Sequence, residues 1–392
     1  MNNINNRGIY TDLVRELSQN GINMYVVTPR EKRSKLPTEV EVQNDVKFLR
    51  VRIGNIRNVG LIEKGISTIT IEKKYKKNIL KYFKNVKFDM VMYSTPPITF
   101  EKLVQFFKDK QKSKTYLILK DIFPQNAIDI NLMKKESFLW KYFRKREMKL
   151  YEMSDVIGCM SQANIEYIHK HNNVPLEKLE IFPNSIKPLD IQSENIDSSN
   201  VEALRSNFGI SSDSTLFVYG GNLGKPQGID FLLEVIREFK EIEKSHLLIV
   251  GSGTEFKRIQ DFIKENKPRN VNLFNRLPKN DYDNLLDIAD VGLIFLDRRF
   301  TIPNFPSRLT AYMEKSIPVL AATDTNTDLK EVLNNSDSGL WCESGDLEGF
   351  IQKAKQLSSD KHRRKVMGKN GRNYLEKNYD ISKTVQIILK HL

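Results

Sequence analysis

Cysteine and histidine are scarce in this 392-residue chain, at two and five residues. Cys159 and Cys342 cannot make a disulfide framework or a four-ligand zinc site, so a reducing cytosol is the expected compartment. No histidine pair has the HExxH spacing of a metalloprotease. Long apolar runs are also absent. VGLIFL (291–296) and LLIV (247–250) are strand-length, far short of the roughly 18 residues of a spanning helix. Met1–Gly8 is Asn-rich and polar, unlike a secretory signal. There is no internal repeat and no low-complexity tract. With 40% hydrophobic and 28% charged residues the chain has the composition of a packed soluble protein. Its length suggests two or three domains.

Acidic residues are in short supply in one half only. Residues 1–190 carry 34 Lys+Arg against 21 Asp+Glu, whereas residues 191–392 carry 28 of each. The whole excess of +13 therefore lies in the first half. A basic half beside a neutral half suggests two jobs, with an anionic membrane, a phosphorylated substrate or nucleic acid as partner. The densest stretches are Lys73–Lys87 and Phe138–Lys149, where aromatics alternate with Lys/Arg on a helical pattern. That pattern fits an interfacial helix or a solvated face with snorkelling lysines. No nucleic-acid-binding signature accompanies the charge, so no nucleic-acid partner is expected.

Strand-like and helix-like segments alternate along the chain. Strands are predicted at 22–27, 46–51, 88–94, 115–119 and 156–160, then at 215–220, 246–251, 271–274, 291–296 and 318–322. Amphipathic stretches lie between many of them. This is the pattern of parallel sheets covered on both faces, an α/β protein. A polar, aperiodic stretch near 188–207 divides the chain into an expected basic domain (1–190), a linker (191–206) and a second domain (207–392), whose last helix is a candidate to pack back on the first.

Four segments carry candidate chemistry. Gly220-Gly221-Asn222-Leu223-Gly224-Lys225-Pro226-Gln227-Gly228 sits between a strand and a helix. Glycines there let backbone N–H groups approach a phosphate, or simply make a left-handed turn. Gly251-Ser252-Gly253-Thr254 ends the next strand, as a tight turn or a ligand contact, and Thr254 is a candidate helix cap. Ser307 and Arg308 precede a helix, where a cap and a phosphate partner are both open readings. Lys120 and Asp121 end a strand, where cleft residues belong; Asp121 is a candidate base, polar anchor or cap. Asp281 and Asp283 form a DxD, read as a helix-start pair rather than a metal site.

In this order, the segments IFPNSI (181–186), YGGNLGKPQGIDFLLEVI (219–236), VGSGTE (250–255), DYDNLLDIADVGLIFL (281–296) and IPNFPSRLTAYMEKSIPVLAA (302–322) resemble bacterial glycosyltransferases of family 4. GGNLGKPQG and KDIFPQNA resemble the capsule, exopolysaccharide and O-antigen branch. The resemblance implies the GT-B fold, with two doubly wound Rossmann-like domains facing across a cleft. It implies transfer from a nucleotide sugar, UDP-linked in expectation, to a polyprenyl-diphosphate-linked acceptor, with retention of configuration and without metal or cofactor. Donor contacts would come from Gly221, Asn222, Lys225, Gln227, Gly228, Gly251, Gly253, Arg276, Pro278, Ser307 and Arg308. Asp121 would be the catalytic candidate, and Lys120, Arg7 and Gly8 would lie on the acceptor side. The implied location is the cytoplasm, peripheral on the inner face of the plasma membrane.

Two departures stand out. The family's paired glutamates fall at Pro303 and Ala311, and Glu314 is one helical turn on. The family's first strand also has no counterpart before the helical pattern of residues 10–18. The reading therefore expects a truncated start, with roughly ten upstream codons encoding a β-type segment. The rivals are a degenerate GT-B scaffold without activity and a nucleotide-sugar 2-epimerase.

Overall fold

The computed structural model describes residues 3–56, 59–190 and 198–392. The chain divides into two units, one of residues 1–187 with 379–392 and one of residues 188–378. The second folds around one parallel sheet and the first around two smaller sheets that are mostly parallel.

In the first unit the chain runs α1 (Ile9–Gln19), β1 (Tyr25–Glu31), β2 (Glu39–Gln43), β3 (Val46–Ile53), α2 (Leu61–Tyr82), β4 (Met90–Ser94), α3 (Glu101–Gln111), β5 (Lys114–Leu119), α4 (Gln125–Asp129), α5 (Phe138–Met153), β6 (Val156–Cys159), α6 (Gln162–Asn172) and β7 (Leu179–Ile181). The sheet is in two pieces, β1-β3-β2 and β4-β5-β6-β7. Only β2 runs antiparallel. Among the described residues no strand precedes α1, and no strand pairs with the outer edge of β1 or of β4. Ile71, Tyr75 and Ile79 of α2 and Leu103 and Phe107 of α3 pack with Leu49, Val51 and Ile53 of β3. Val14 of α1 packs with Val46 and Phe48.

The second unit runs α7 (Ser198–Asn207), β8 (Thr215–Asn222), α8 (Ile229–Glu238), β9 (Ser245–Ser252), α9 (Phe256–Asn266), β10 (Val271–Phe274), α10 (Lys279–Asp287), β11 (Val291–Phe295), α11 (Arg308–Glu314), β12 (Val319–Thr323), α12 (Leu329–Ser336), β13 (Gly339–Glu343), α13 (Leu347–Ser359) and α14 (Lys361–Asn378). Its six strands are parallel, in the order β10-β9-β8-β11-β12-β13. The uninterrupted apolar strands are buried on both faces, as covering helices require. The final helix, α15 (Ile381–Leu389), belongs to the first unit. It lies against α1, and Thr384 Oγ1 meets Ser185 Oγ at 2.6 Å.

The α/β alternation read from the sequence is the observed one. Three strands escape that reading for local reasons. β2 interleaves its valines with charges, β7 has three residues, and β13 has only three apolar residues between a glycine and a glutamate. Of the expected linker, residues 191–197 lie outside the described residues, and Ser198–Asn207 is helical.

Candidate functional site

The strand order of the second unit fixes where a ligand belongs. The chain winds outward from β8 through β9 to β10, then returns to the other side of β8 with β11. That reversal opens a crevice beyond the carboxyl ends of β8 and β11. The loop Gly220–Gly228 leaves β8 there, and the segment from Leu296 to Ser307 leaves β11.

The first loop is shaped by its glycines and by one glutamine. Gly221 has φ +136° and Gly228 φ +56°, both in the region that favours glycine. Gln227 Oε1 accepts from Asn222 Nδ2 (2.7 Å) and from the Gly224 N–H (3.2 Å), which folds the loop back on itself. Asn222 and Gln227 thus hold the loop's shape. Lys225 is exposed on a single 3-10 turn. Gly251 and Gly253 stand behind the loop: a Cβ on Gly251 would overlap the Gly221 carbonyl, and one on Gly253 the Leu223 carbonyl. Leu223 N–H donates to Ser252 O (3.0 Å), and Glu255 N–H to Leu223 O (2.9 Å).

Arg308 is the charge at this crevice. Its guanidinium lies over the Tyr219 ring, 4.4 Å from the centroid. Its Nη2 approaches Gly221 so closely that a Cβ there would stand 3.2 Å away. Nη1 is buried and has no hydrogen-bond partner. No carboxylate among the described residues compensates it; its neighbours are Tyr219, Tyr282 and Tyr312. Tyr312 is itself fixed, its hydroxyl 3.1 Å from Val218 O and 3.2 Å from Leu293 O. On the same segment, Asn304 Nδ2 is a second buried donor without an acceptor. Buried donors are normally satisfied; these two have no acceptor among the described residues.

Other sequence candidates take clearer roles. Arg276 and Pro278 are exposed beyond β10, on the same end of the sheet. Ser307 stands at the start of α11 but makes no capping bond with its side chain. Thr254 is no helix cap either: Glu255 occupies that position before α9, without a side-chain bond. Asp281 lies in the first turn of α10, and Asp283 pairs with Lys279 at 2.6 Å. Among the described residues no cluster of His, Cys, Asp or Glu could hold a metal. Glu314 receives the Leu189 N–H at 3.0 Å.

The first unit has its own polar cluster at the carboxyl ends of β4 and β5. Thr95 Oγ1 accepts from the N–H groups of Lys120 and Asp121, both at 3.2 Å, and fixes this corner. Lys120 Nζ donates to Asn184 Oδ1 at 2.6 Å and lies 5.9 Å from the Tyr10 ring centroid. Burial without a carboxylate pulls its amine down to about 7. Burial raises the Asp121 carboxyl, an effect opposed by the bond from Asn126 Nδ2 at 2.6 Å. Asn126 Oδ1 is buried and unpartnered. The Gly8 N–H donates to Asp12 Oδ1 (3.2 Å), and Arg7 Nη2 donates to Lys187 O (2.7 Å). Tyr10, Asn126, Asn184 and Asn304 are absent from the sequence-based list. The first three are singled out only by their placement beside Lys120 and Asp121, and Asn304 only by its unpartnered donor.

The fold is similar to that of solved structures over most of the chain. Sucrose-phosphate synthase from Thermosynechococcus elongatus matches with a TM-score of 0.75 at 14% identity, covering 97% of this chain and 91% of that one. Anabaena Alr3699/HepE, solved in complex with UDP-glucose, gives a TM-score of 0.66 at 14% identity, covering 89% and 87%. The fold is GT-B. Residues 200–374 match the family of glycosyl transferases group 1. Among curated proteins the chain is 23% identical over 270 residues to the probable glycosyltransferase WbjE of Pseudomonas aeruginosa, 66% of this chain and 63% of that one. It is 25% identical over 162 residues to the putative colanic acid biosynthesis glycosyl transferase WcaI of Escherichia coli K12, 41% and 38% of the two chains. The chain thus spans less than two thirds of the curated relatives it matches.

Proposed function

We propose that this chain transfers a sugar from a UDP-linked donor to a lipid-linked saccharide acceptor. The observation that carries the reading is Arg308, a buried guanidinium without a counterion, beside the Gly221–Gly224 backbone at the crevice of the second unit. A nucleotide diphosphate supplies the missing acceptors. The backbone N–H groups of the glycine loop, Arg308 and the exposed Lys225 would meet the charge that grows on the departing diphosphate. In this reading those cations do the work for which other transferases use a metal. The sugar would leave with retention of configuration, and no cofactor is called for. The UDP complexes of HepE support UDP as the nucleotide. The matched domain supports a glycosyltransferase, and the name of the colanic acid relative supports polysaccharide biosynthesis; in this reading the chain is a family 4 enzyme of the capsule, exopolysaccharide and O-antigen branch.

The first unit would take the acceptor. Its Lys120, Asp121 and Asn126 offer a cation and hydrogen-bond acceptors for a sugar's hydroxyl groups, with Asp121 as the polar group toward the reacting sugar. Arg7 and Gly8 flank this cluster at the start of α1.

The test is incubation of the purified chain with a panel of nucleotide sugars and a polyprenyl-diphosphate sugar, read by mass spectrometry. The reading expects one UDP-sugar to be consumed and the lipid to gain one hexose-type residue. Pro303 and Ala311, where related enzymes carry glutamates, favour the rival of a non-catalytic binding subunit. Donor binding with no transfer to any acceptor would select that rival. Donor turnover without acceptor would select an epimerase.

A further inference from the structure

Among the described residues, no helix is long and apolar enough to cross a membrane. The first unit nevertheless holds several apolar side chains out in water, Val42, Ile69 and Leu176 among them, and the most exposed of all is Phe138. Phe138 is 88% exposed, Leu132 60% and Leu139 52%. They sit in one short stretch, the turn after α4 and the first residues of α5.

The backbone there is fixed. Leu132 N–H and Met133 N–H donate to Ala127 O at 2.8 and 3.0 Å. Ile130 is buried and pins the turn. Ser137 Oγ caps α5 by accepting the Trp140 N–H at 3.2 Å. Phe138 is thus presented by an anchored helix start. Its own helix buries a different face: Glu147, Leu150, Tyr151 and Met153 point inward, and Phe143 packs edge-on against Phe123.

The exposed arc of α5 is cationic. Phe138, Lys141, Lys145, Met148, Lys149 and Glu152 are exposed and fall within about a third of the helix circumference at 100° per residue. Lys134 and Lys135 stand exposed in the turn beside Leu132. Lys134 and Lys135 thus stand in the same turn as Leu132, and Lys141, Lys145 and Lys149 follow Phe138 along the exposed arc. The acidic members are Glu136, 4.0 Å from Lys141, and Glu152 at the far end.

We infer that this turn and the outer arc of α5 are a docking surface for an anionic lipid bilayer, with Leu132, Phe138 and Leu139 entering the headgroup layer and the lysines meeting lipid phosphates. The inference deepens the proposal of a lipid-linked acceptor and rests on that reading for its purpose. The chemistry fits a bilayer: an apolar tip beside long, flexible cations is how interfacial helices bind. The other basic stretch fits less well. On α2 the exposed apolar residues Ile69 and Leu80 are eleven positions apart, about 16 Å along the axis. Lys76 and Lys81 of α2 lie over the Phe106 and Tyr82 rings.

The experiment is co-flotation of the full chain with vesicles of phosphatidylcholine alone and with ~30% phosphatidylglycerol. It is run at about 0.1 M and 0.5 M salt, where screening differs strongly. The wild type floats with the anionic vesicles and is released by salt. F138S/L139S reduces the vesicle-bound fraction at least tenfold, and each of K135Q and K141Q reduces it about fivefold. Thermal stability and stabilisation by UDP stay at wild-type values in these variants, because the residues are exposed and lie in the other unit. Equal binding by F138S/L139S, or no preference for anionic vesicles, overturns the inference. So does a concentration-dependent dimer that F138S/L139S abolishes, which would make the patch an interface between copies. Failure of UDP to stabilise the chain refutes the donor reading and leaves the vesicle result standing.

Discussion

Replacing Arg308 with methionine separates a ligand-binding charge from a structural one. In the free protein the guanidinium lies over Tyr219, with Nη1 buried and unbonded. Burial opposes this charge while the three tyrosines favour it, and an apolar side chain of similar length keeps the packing on Tyr219 while removing the cost of burying the charge. Arg308→Met should therefore leave the unliganded protein as stable as the wild type, or more so. Donor binding should move the other way. A hydrogen bond between charged groups is worth about 1.5–3 kcal/mol, so the Kd for UDP should rise roughly 10- to 150-fold by the RT ln K conversion. Calorimetric titration of UDP, with thermal unfolding of the same samples, reads both signs. Arg364→Met is the control: Arg364 is 3.5 Å from Asp290 and donates to Leu357 O at 2.6 Å. That variant should lose stability while its folded fraction binds UDP normally. UDP binding within twofold of wild type in Arg308→Met would refute the assignment. So would a loss of stability as large as that of Arg364→Met.

Three further outcomes are expected. Gly251→Ala places a methyl group on the Gly221 carbonyl; it should cost about 1–3 kcal/mol of stability and weaken UDP binding, by denaturant midpoints and titration. Lys120 has a folded-state pKa near 7 against an ordinary 10.5, so the unfolded chain binds the extra proton between those values. Stability should accordingly rise with pH from about 7 upward, and Lys120→Met should flatten that rise in urea unfolding at pH 6 and pH 9; parallel pH profiles would contradict the burial argument. Asp290 accepts the Leu216 N–H at 2.9 Å and faces Arg205 and Arg364. Asp290→Ala, which leaves both guanidinium groups with backbone carbonyls but no carboxylate, should therefore lose about 2–3 kcal/mol, seen as a lowered Tm.

What the sequence disclosed follows from range of interaction. The second unit was legible because its strands are short, uninterrupted apolar runs such as TLFVYG and VGLIFL, each followed by a turn and an amphipathic helix. The glycine loop was legible for the same local reason. Strand β2 was not, because EVEVQ shows a charged alternation that only its pairing with β3 resolves. The candidate site divides in the same way. Arg308 could be nominated from its place before a helix, but the reason to choose it, an orphan charge among three tyrosines, needs Tyr219, Tyr282 and Tyr312 brought together in space. Gly251 and Gly253 read as a tight turn or as ligand contacts; that they pack against the Gly221 and Leu223 carbonyls is a long-range fact no local pattern discloses. Lys120 was visible as a strand end; that its partner is Asn184, 64 positions away, no local pattern discloses.

A crystal structure of the chain grown with UDP tests the central claim most directly. The account predicts the diphosphate within hydrogen-bond distance of the Gly221–Gly224 backbone N–H groups and of Arg308. UDP bound elsewhere, such as the open groove between α8 and α9 lined by Arg237 and Lys257, or no bound UDP at saturating concentration, would contradict it.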